Sequence, residues 1–310
     1  MAGQSHGFDN TVVFGTETEY GVKATTFGWA DIIDSFEPEE NNNTDQRMSV
    51  GVRAPFMLRQ GQKEVDASYS GAIQTGKILG YGLGDVTTTG DDTTGYTHTI
   101  KPIKAGRELP SFTAQNNNAL LNYIRNYIGG KVDTVTVTAS SEEAVTIEGD
   151  FMFQYVETEQ GGTPAVVVPD YSNYFMFYEG SVKVNNTSIA DITEFELELS
   201  NNLERRFTLN GQNKPQRIEE GNLEITTSLT MDFTRTDLYE MFLAGDNVAL
   251  ELKLADSTNP DRTITFTLEG GQFDTNTLPV SAEDLQEQEM EAIFADMTVV
   301  ITGSGSATLI

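Results

Sequence analysis

Two segments of the chain carry acids and hydroxyls at every second position, which is the spacing of one face of a β-strand. In Glu64–Gln74 and Glu224–Thr234 the odd-numbered positions are mostly apolar and the even-numbered positions are polar. The candidate functional residues are Glu64, Asp66, Ser68, Ser70, Gln74, Glu224, Thr226, Ser228, Thr230 and Asp232. None of them is Lys or Arg, whereas a solvent-exposed sheet ordinarily mixes both signs. The pattern therefore indicates two similar faces that do not attract anions.

Residues that could perform catalysis are sparse. The two histidines, His6 and His98, lack the spacing of a metal site, and both are expected to be ordinary surface residues. Gly80–Gly84 has the glycines of a phosphate-binding loop but neither its lysine nor a following amphipathic helix. Acids abound, yet they show no calcium-loop spacing and no pair stands out as glycosidase carboxylates. The sequence predicts a protein that is not an enzyme, with no catalytic residue, cofactor or metal site.

The two polar segments lie in a longer internal repeat. Residues 30–84 align without a gap with residues 190–244, at an offset of 160. The identical pairs are Ala30/Ala190, Asp31/Asp191, Ile32/Ile192, Asn41/Asn201, Asn42/Asn202, Gly51/Gly211, Pro55/Pro215, Gly61/Gly221, Glu64/Glu224, Ser68/Ser228 and Leu83/Leu243. Chance similarity between two amphipathic hairpins is the alternative explanation. Duplication is favoured because Gly and Pro recur at the turns, and it predicts two domains, residues 1–160 and 161–310.

Composition indicates a β-rich protein of two ordinary domains. The chain has 310 residues, no cysteine and a formal charge of −28. The acid excess fits solubility, a surface that avoids DNA, or a halophilic source whose salt screens the repulsion, and its size favours the halophile. The N-terminal residues show no secretory signal, and no apolar run approaches the roughly 20 residues of a membrane helix.

The elements that would position the polar faces are mainly strands. Predicted helices cover Gly76–Leu83, Asn118–Ile128 and Asp237–Leu243, and Thr87–Gly95 is expected to be an exposed loop. The predicted strands are Val12–Tyr20, Phe27–Phe36, Arg47–Leu58, Lys63–Thr75, Tyr96–Ile103, Val132–Ala139, Ala144–Tyr155, Tyr174–Val184, Ile189–Leu199, Arg205–Leu209, Ile218–Thr234, Val248–Leu254, Thr263–Leu268 and Met297–Ile301. An acidic segment, Glu283–Asp296, precedes the last of them.

Three stretches resemble the tail tube proteins of long-tailed, non-contractile viruses. They are FGTETEYGVKATTFGWADI (Phe14–Ile32), YIGGKVDTVTVTASSEEAVTIEGDFMF (Tyr127–Phe153) and ITEFELELSNNLERRFTLNGQNKPQRIEEGNLEITTSLTMDFTRTDLYEMFLAG (Ile192–Gly245). The last is the strongest: a strand ending in Asn-Asn leads into a long hairpin, followed by a short helix. The resemblance covers most of the chain and consists of strands and small-residue turns. Because the acid excess departs from most bacterial-virus relatives, it suggests a tailed virus of haloarchaea.

The resemblance implies a mainly β fold of two tandem β-sandwich or barrel domains, each with a long hairpin feeding an inner barrel and a short packing helix. It implies that the candidate residues line a lumen through which genomic DNA passes without specific binding. Three chains would supply six domains to a ring with pseudo-sixfold symmetry; the alternative is a homohexamer of one larger domain. The expected partners are further copies and other tail proteins, without a membrane. The expected location is the virion tail, assembled in the host cytoplasm.

Two other functional classes remain as alternatives. An adhesin or receptor-binding module built from two β-sandwiches predicts a groove with clustered aromatic side chains. An enzyme requires a localised acid–base site that the sequence does not display. For a tube, the expected contacts between successive rings are the loops Asn41–Pro55, Asp85–Gly95 and Asn210–Gln216, because they adjoin the hairpins.

Overall fold

The computed structural model describes residues 4–93, 95–168, 170, 172–280 and 285–310, and it is mainly β, as predicted. The elements of the first half are β1 (Asn10–Thr16), β2 (Ile32–Asn41), β3 (Asp45–Arg47), β4 (Met57–Arg59), β5 (Glu64–Ala72), α1 (Lys77–Leu83), β6 (Gly84–Asp91), β7 (Gly95–Pro102), β8 (Phe112–Asn118), β9 (Tyr123–Ser140), β10 (Thr146–Phe153) and β11 (Tyr155–Gln160). Those of the second half are β12 (Gly180–Val184), β13 (Thr187–Ile189), β14 (Ile192–Ser200), β15 (Glu204–Arg206), β16 (Arg217–Glu219), β17 (Glu224–Asp232), α2 (Asp237–Ala244), β18 (Val248–Ala255), β19 (Thr263–Thr277), β20 (Glu287–Ile293) and β21 (Asp296–Ser304). Within the described residues, neither helix is long and apolar enough to cross a membrane.

One antiparallel sheet runs through both halves of the chain. Its strand order is β2-β5-β10-β9-β14-β17-β20-β19, and we call it the central sheet. The two halves meet inside it, where the C-terminal part of β9 pairs with β14 over seven residue pairs from Ser140↔Glu194 to Thr134↔Ser200. The junction between the halves is thus a strand pairing within a sheet.

Two further sheets pack against the apolar side of the central sheet. The first has the order β1-β8-β9-β11 and the second β13-β12-β18-β19-β21-β7-β6. The long strands β9 and β19 each belong to two sheets and bend between them at Gly129 (φ +70°) and Gly270 (φ +67°). Glycine suits these bends because L side chains are strained at positive φ. The buried apolar residues of both halves form one large contiguous cluster.

The halves repeat one another in topology. In the first half β10 lies between β5 and β9, and in the second β20 lies between β17 and β19. The flanking order β1-β8-β9-β11 likewise matches β12-β18-β19-β21. The hairpin β6–β7 has no counterpart in the described residues of the second half, and it extends the second half's flanking sheet through β21.

The structure corrects the ungapped alignment by one residue in part of the repeat. Gly61 N–H donates to the carbonyl of Asn42 (3.0 Å), and Gly221 N–H donates to that of Asn201 (2.9 Å). Asn43 and Asn202 both have positive φ. The structural equivalent of Asn201 is therefore Asn42, an offset of 159, whereas β5 and β17 correspond at 160. The difference arises because four residues, 207–210, separate Arg206 from Gly211, whereas three, 48–50, separate Arg47 from Gly51.

The helix predicted at Asn118–Ile128 is wrong. Asn118 ends β8, and β9 begins at Tyr123 after a turn. Leu120 and Leu121 are exposed, whereas Ile124 and Ile128 are buried in the first flanking sheet. A short apolar run fits helical and extended spacing equally well. Here the extended conformation forms because β9 pairs with both β8 and β11.

Two other segments also differ from expectation. Most of the loop predicted at Thr87–Gly95 is strand, because β6 pairs with β7 from Gly84↔Pro102 to Asp91↔Gly95; Thr94 lies outside the described residues. The strand predicted at Arg47–Leu58 is wrong except at its ends, where β3 and β4 form a separate small ladder; the strand predicted at Lys63–Thr75 contains β5, which pairs with β2. Threonine-rich β6 lacks the apolar alternation that marks a strand in a sequence.

Candidate functional site

The side of the central sheet turned away from the core is lined with acids and hydroxyls. Each strand alternates between a residue that faces the core and one that faces away from it, so most polar residues of the eight strands share one side. This acidic face comprises Ser35, Glu37, Glu39, Asn41, Glu64, Asp66, Ser68, Ser70, Thr134, Thr136, Thr138, Ser140, Thr146, Glu148, Asp150, Glu194, Glu196, Glu198, Ser200, Glu224, Thr226, Ser228, Thr230, Asp232, Gln272, Thr275, Thr277, Glu287, Glu289 and Glu291.

All the sequence-predicted residues except Gln74 lie on this face. Those from β5 and those from β17 are brought into one surface by the strands β10, β9 and β14 between them. Gln74 does not belong there, because β5 ends at Ala72 and the alternation stops. Its side chain is buried; its Oε1 accepts from Trp29 Nε1 (2.9 Å), and its Nε2 donates to the carbonyl of Ser172 (2.6 Å).

Cross-strand rows make the face continuous. One row runs from Ser70 through Glu148, Thr136 and Glu198 to Thr226, each directly opposite the next. Directly opposed side chains lie about 5 Å apart. In this row hydroxyls separate the acids, so carboxylates do not oppose one another directly.

Hydroxyl groups supply hydrogen bonds to several of these carboxylates. Thr134 Oγ1 donates to Asp150 (2.9 Å), and Ser140 Oγ donates to Glu194 (2.9 Å). Thr275 Oγ1 donates to Glu291 (2.9 Å). These bonds stabilise negative charge without any neighbouring cation, which keeps the net charge of the face negative.

Glu196 is partly buried and lies among other acids of the face. Partial burial, followed by repulsion from Glu198, Glu194 and Glu148, raises the pKa of Glu196 above its ordinary value. Repulsion of this kind arises where like charges are not compensated by bases. The electrostatic potential of the face is thus negative at neutral pH.

Two bases approach the margin of the face, and both are paired. Lys131 is buried, and its Nζ contacts Glu220 Oε1 at 2.6 Å and donates to the carbonyl of Ile218 at 2.9 Å. Arg205 bonds to the Asp66 carboxylate and to the carbonyl of Val65 (2.9 Å). The ammonium and the guanidinium are thus each already bound to a carboxylate and a carbonyl of the chain.

The two histidines lie in different environments. His6 is exposed and stacks on Phe8, as expected of a surface residue. His98 is fully buried, contrary to the prediction, and its Nδ1 lies 2.8 Å from Thr88 Oγ1. Burial lowers the pKa of His98, which favours the neutral ring. In the part of the chain that the structure describes, no group of three or more His, Asp or Glu side chains is arranged to hold a metal ion.

The residues predicted from the sequence make up only part of the face. They lie in β5 and β17, although Thr134–Ser140 and Glu287–Glu291 show the same alternation of polar and apolar residues. The acidic segment at Glu283–Asp296 contains β20, while its first two residues, 283 and 284, lie outside the described residues. Alternation identifies which strands have a polar side, but not that they join into one sheet.

Comparison with known proteins agrees with this architecture. No curated protein sequence matches the chain. A family model described as "Phage tail tube protein" matches residues 7–296, which is nearly the whole chain. The resemblance seen in the sequence is thereby confirmed, and the chain belongs to the phage tail tube protein family.

Proposed function

We propose that the acidic face lines the lumen of a tube through which viral DNA passes. The observation that carries this is one continuous face of acids and hydroxyls over eight strands, whose marginal bases Lys131 and Arg205 are already paired. A lining of this kind repels phosphates and offers DNA no cationic contact that would retain it. The nine candidate residues of β5 and β17 are lumen-lining in this proposal.

The size of the central sheet supports three chains per ring. Each chain contributes eight strands, so three chains contribute 24. With strands about 4.8 Å apart and tilted about 45°, such a barrel is roughly 50 Å across, and side chains reduce its lumen to roughly 40 Å. A DNA duplex fits this space. Six chains would give 48 strands and a barrel of roughly 100 Å, which makes the hexamer the weaker alternative.

The matching topology of the halves supports reading them as two tube domains, residues 1–160 and 161–310, derived by duplication. Three chains would then form a ring with pseudo-sixfold symmetry, and rings would stack into a tube. Other tail proteins would meet the tube at its ends. In this proposal the role is structural, without catalysis or cofactor, within a virion tail that assembles in the host cytoplasm.

Two further assignments rest on less. The acid-rich composition supports a haloarchaeal host, because concentrated salt screens the repulsion within a face such as this one. An adhesin made of two sandwiches is the alternative function, but the largest group of mutually contacting aromatic side chains, which includes Phe14, Phe112 and Phe151, is buried in the core. That distribution leaves the tube as the better supported function.

Electron microscopy of the purified protein tests the proposal. At high protein concentration and in high salt, we expect rings or hollow filaments with a central hole and sixfold-like projections. Mass measurement of single rings distinguishes three chains from six. A protein that stays monomeric across salt and concentration would refute the tube, and a closed particle without a hole would refute the lumen.

A further inference from the structure

Each half of the chain has an arm that extends from its central-sheet hairpin. The first arm is residues 42–61, with the ladder β3–β4, and the second arm is residues 201–221, with β15–β16. Gln46 lies opposite Leu58 in the first, and Arg205 lies opposite Ile218 in the second. Because the ladders share this register, Leu58 is the structural counterpart of Ile218.

The second arm is docked on the first half of its own chain. Ile218 and Leu203 pack with Leu109 in a small apolar cluster, against which Met152 also lies. Gln154 Nε2 donates to the carbonyl of Gln216 (2.9 Å). Further polar contacts run from Leu109 N–H to Glu220 Oε1 (2.8 Å), from Lys63 N–H to the carbonyl of Asn213 (2.7 Å), and from Leu203 N–H to Asp133 Oδ1 (2.8 Å).

The first arm has the same shape but no such cover. Leu58 is 62% exposed, whereas its counterpart Ile218 is 1% exposed. Further large apolar side chains on this arm are also exposed, namely Met48, Val50, Val52, Phe56 and Met57. An arm with this much exposed apolar surface is typical of an unoccupied interaction site.

The second half carries counterparts of part of the surface on which the second arm docks, and they are exposed. Leu109 has no counterpart, because it lies between β7 and β8, whereas α2 is followed directly by β18. Asn201, at the base of the second arm, donates from Nδ2 to the carbonyl of Gly82 near the end of α1 (3.0 Å), and the corresponding end of α2 carries Leu243, which is 65% exposed. Ile293 lies opposite Gln272, as Met152 lies opposite Lys131, so Ile293 is the counterpart of Met152. Ile293 is 51% exposed.

The polar residues of the docked junction also have matched counterparts. Lys131 and Glu220 form its buried ion pair, and the equivalent positions are Gln272 and Gln60. Both members of the charged pair are thus replaced by amides, which can hydrogen-bond to each other as donor and acceptor. A one-sided replacement would have left an unpaired charge.

The edges of the central sheet complete the correspondence. Among the described residues no strand pairs with the outer side of β2, nor with the outer side of the C-terminal part of β19. These strands are the counterparts of β14 and β9, which pair with each other inside the chain. An unpaired strand edge is a template for pairing with another chain.

We propose that the first arm docks on the second half of a neighbouring copy of this chain, repeating between chains the junction that the second arm makes within one. In this junction β2 of one copy pairs with β19 of the next, and Leu58 packs against Leu243 and Ile293 of that copy. The internal register, Thr136 opposite Glu198 and Thr134 opposite Ser200, sets the intermolecular one. Thr277 lies opposite Glu39 of the neighbour, and Thr275 lies opposite Asn41. This inference rests on the proposed ring.

Disulfide trapping tests the register, since the chain contains no cysteine. In the double variant Glu39→Cys, Thr277→Cys, oxidation of assembled protein should give covalent dimers and trimers and no larger species. Each single variant should give no ladder, and a mixture of the two single variants should stop at dimers. The variant Glu37→Cys, Thr277→Cys, two residues out of register, should link far less. Thr136→Cys with Glu198→Cys should link within one chain.

A charge placed on the arm tests the apolar contact. Leu58→Asp should fold normally, because Leu58 is exposed in the single chain, but should weaken ring formation by about thirtyfold or more, the loss typical of a central interface residue. Val50→Asp, on the same arm, is the matched control. The corresponding residues of the second arm, Leu209 and Asn210, are exposed at the internal junction, so rings of this variant should form normally.

The outcomes separate this inference from the proposed function. Rings that form normally in Leu58→Asp, and that give no ladder in the Glu39→Cys, Thr277→Cys variant, would overturn the arm contact while leaving the tube intact. A ladder that continues to six chains would support the contact and overturn the trimer. Absence of rings in the unmodified protein would overturn both.

Discussion

Val137 of β9 and Leu197 of β14 lie directly opposite each other, and both are fully buried. Their strands come from different halves of the chain, so the core does not stop where the first half ends. The same pairing presents Thr136 and Glu198 on the acidic face. One strand pair therefore fixes both the core and the face across the junction.

We expect Leu197→Ala to lower the free energy of unfolding by about 2–5 kcal/mol, the usual cost of a cavity left by a buried leucine. Glu198→Ala, the next residue on the exposed side, should change it by less than about 0.5 kcal/mol. Guanidinium unfolding followed by circular dichroism measures both. Equal effects of the two substitutions would contradict the assignment of buried and exposed sides.

Arg262 links the halves through a second contact. It is buried, its Nη2 donates to the carbonyl of Gln74 (2.7 Å), its Nη1 lies 3.4 Å from Asp256 Oδ2, and its guanidinium lies over Phe175. Arg262→Ala should cost about 3–5 kcal/mol, because the carbonyls of Gln74 and Asn173 would lose a charged donor and the buried Asp256 would lose its cationic neighbour. Arg262→Lys should not restore the loss, since ammonium cannot reproduce the forked, stacked geometry.

The control for Arg262 is Arg235→Ala. Arg235 pairs with Asp237 near the surface, where ion pairs contribute about 0–1 kcal/mol. Thermal unfolding of the three variants beside the unmodified protein gives the comparison. A small effect at Arg262 would show that the halves do not depend on this contact.

The raised pKa of Glu196 predicts a pH dependence of stability. The folded protein holds this proton more tightly than the unfolded chain, so the ionised carboxylate costs stability at neutral pH. The cost is absent below the unfolded pKa of about 4.3 and grows as pH rises through the folded pKa. Glu196→Gln should therefore be the more stable protein at pH 7–8, by less than about 1 kcal/mol because solvent screens a partly exposed group.

The advantage of Glu196→Gln should shrink as pH is lowered towards 5 and as salt is raised from about 0.1 M to 1 M, where the Debye length falls from about 10 Å to 3 Å. Glu269→Gln, an exposed acid outside the acidic face, serves as the control. Chemical unfolding at each pH and salt gives the measurement. An advantage that increased towards acid pH would have the wrong sign for this mechanism.

Reversing charges in the lumen should slow DNA. The best positions are exposed acids that do not contact the second arm. Asp66 is therefore left unchanged, because it binds Arg205 of that arm. The variant has Lys at Glu148, Glu198, Glu224 and Glu289, and the control has Gln at the same positions. Tubes with Lys should retain duplex DNA at low salt and release it as salt rises, with a slope of about 0.9 for each phosphate contacted.

Virions carrying the Lys variant should eject DNA more slowly, whereas the Gln variant should eject it at nearly the unmodified rate. Electron microscopy of the tubes verifies that both variants assemble. If assembled Lys tubes neither retain DNA nor slow ejection, the acidic face does not line the lumen.

The sequence was sufficient for the features that depend on local alternation. The polar phase of β5 and β17, the short helices α1 and α2, and the mainly β class all follow from nearby residues. The helix misassigned at Asn118–Ile128 shows the limit, because pairing of β9 with distant strands decides its conformation. The placement of Gln74 on the polar face was wrong for a similar reason, since its hydrogen-bond partners Trp29 and Ser172 are remote in the sequence.

The repeat shows another limit. Asn41, Asn42 and Asn43 stand where the second half has only Asn201 and Asn202, so a shift of one residue leaves two identities intact. The hydrogen bonds of Gly61 and Gly221, together with the positive φ of Asn43 and Asn202, reveal which asparagines correspond. The continuity of the acidic face was equally hidden, because it depends on the order of strands in space.

The β9–β14 junction is formed within a single chain, and this has a consequence for the order of events in assembly. A contact inside one chain forms at an effective concentration set by the connecting segment, in the millimolar range for short connections, however dilute the protein is. On the proposed ring, half of the junctions are therefore complete as soon as each chain folds. The other half form only when molecules meet, so three junctions per ring depend on the protein concentration in the cell. A ring of six separate domains would have six such junctions.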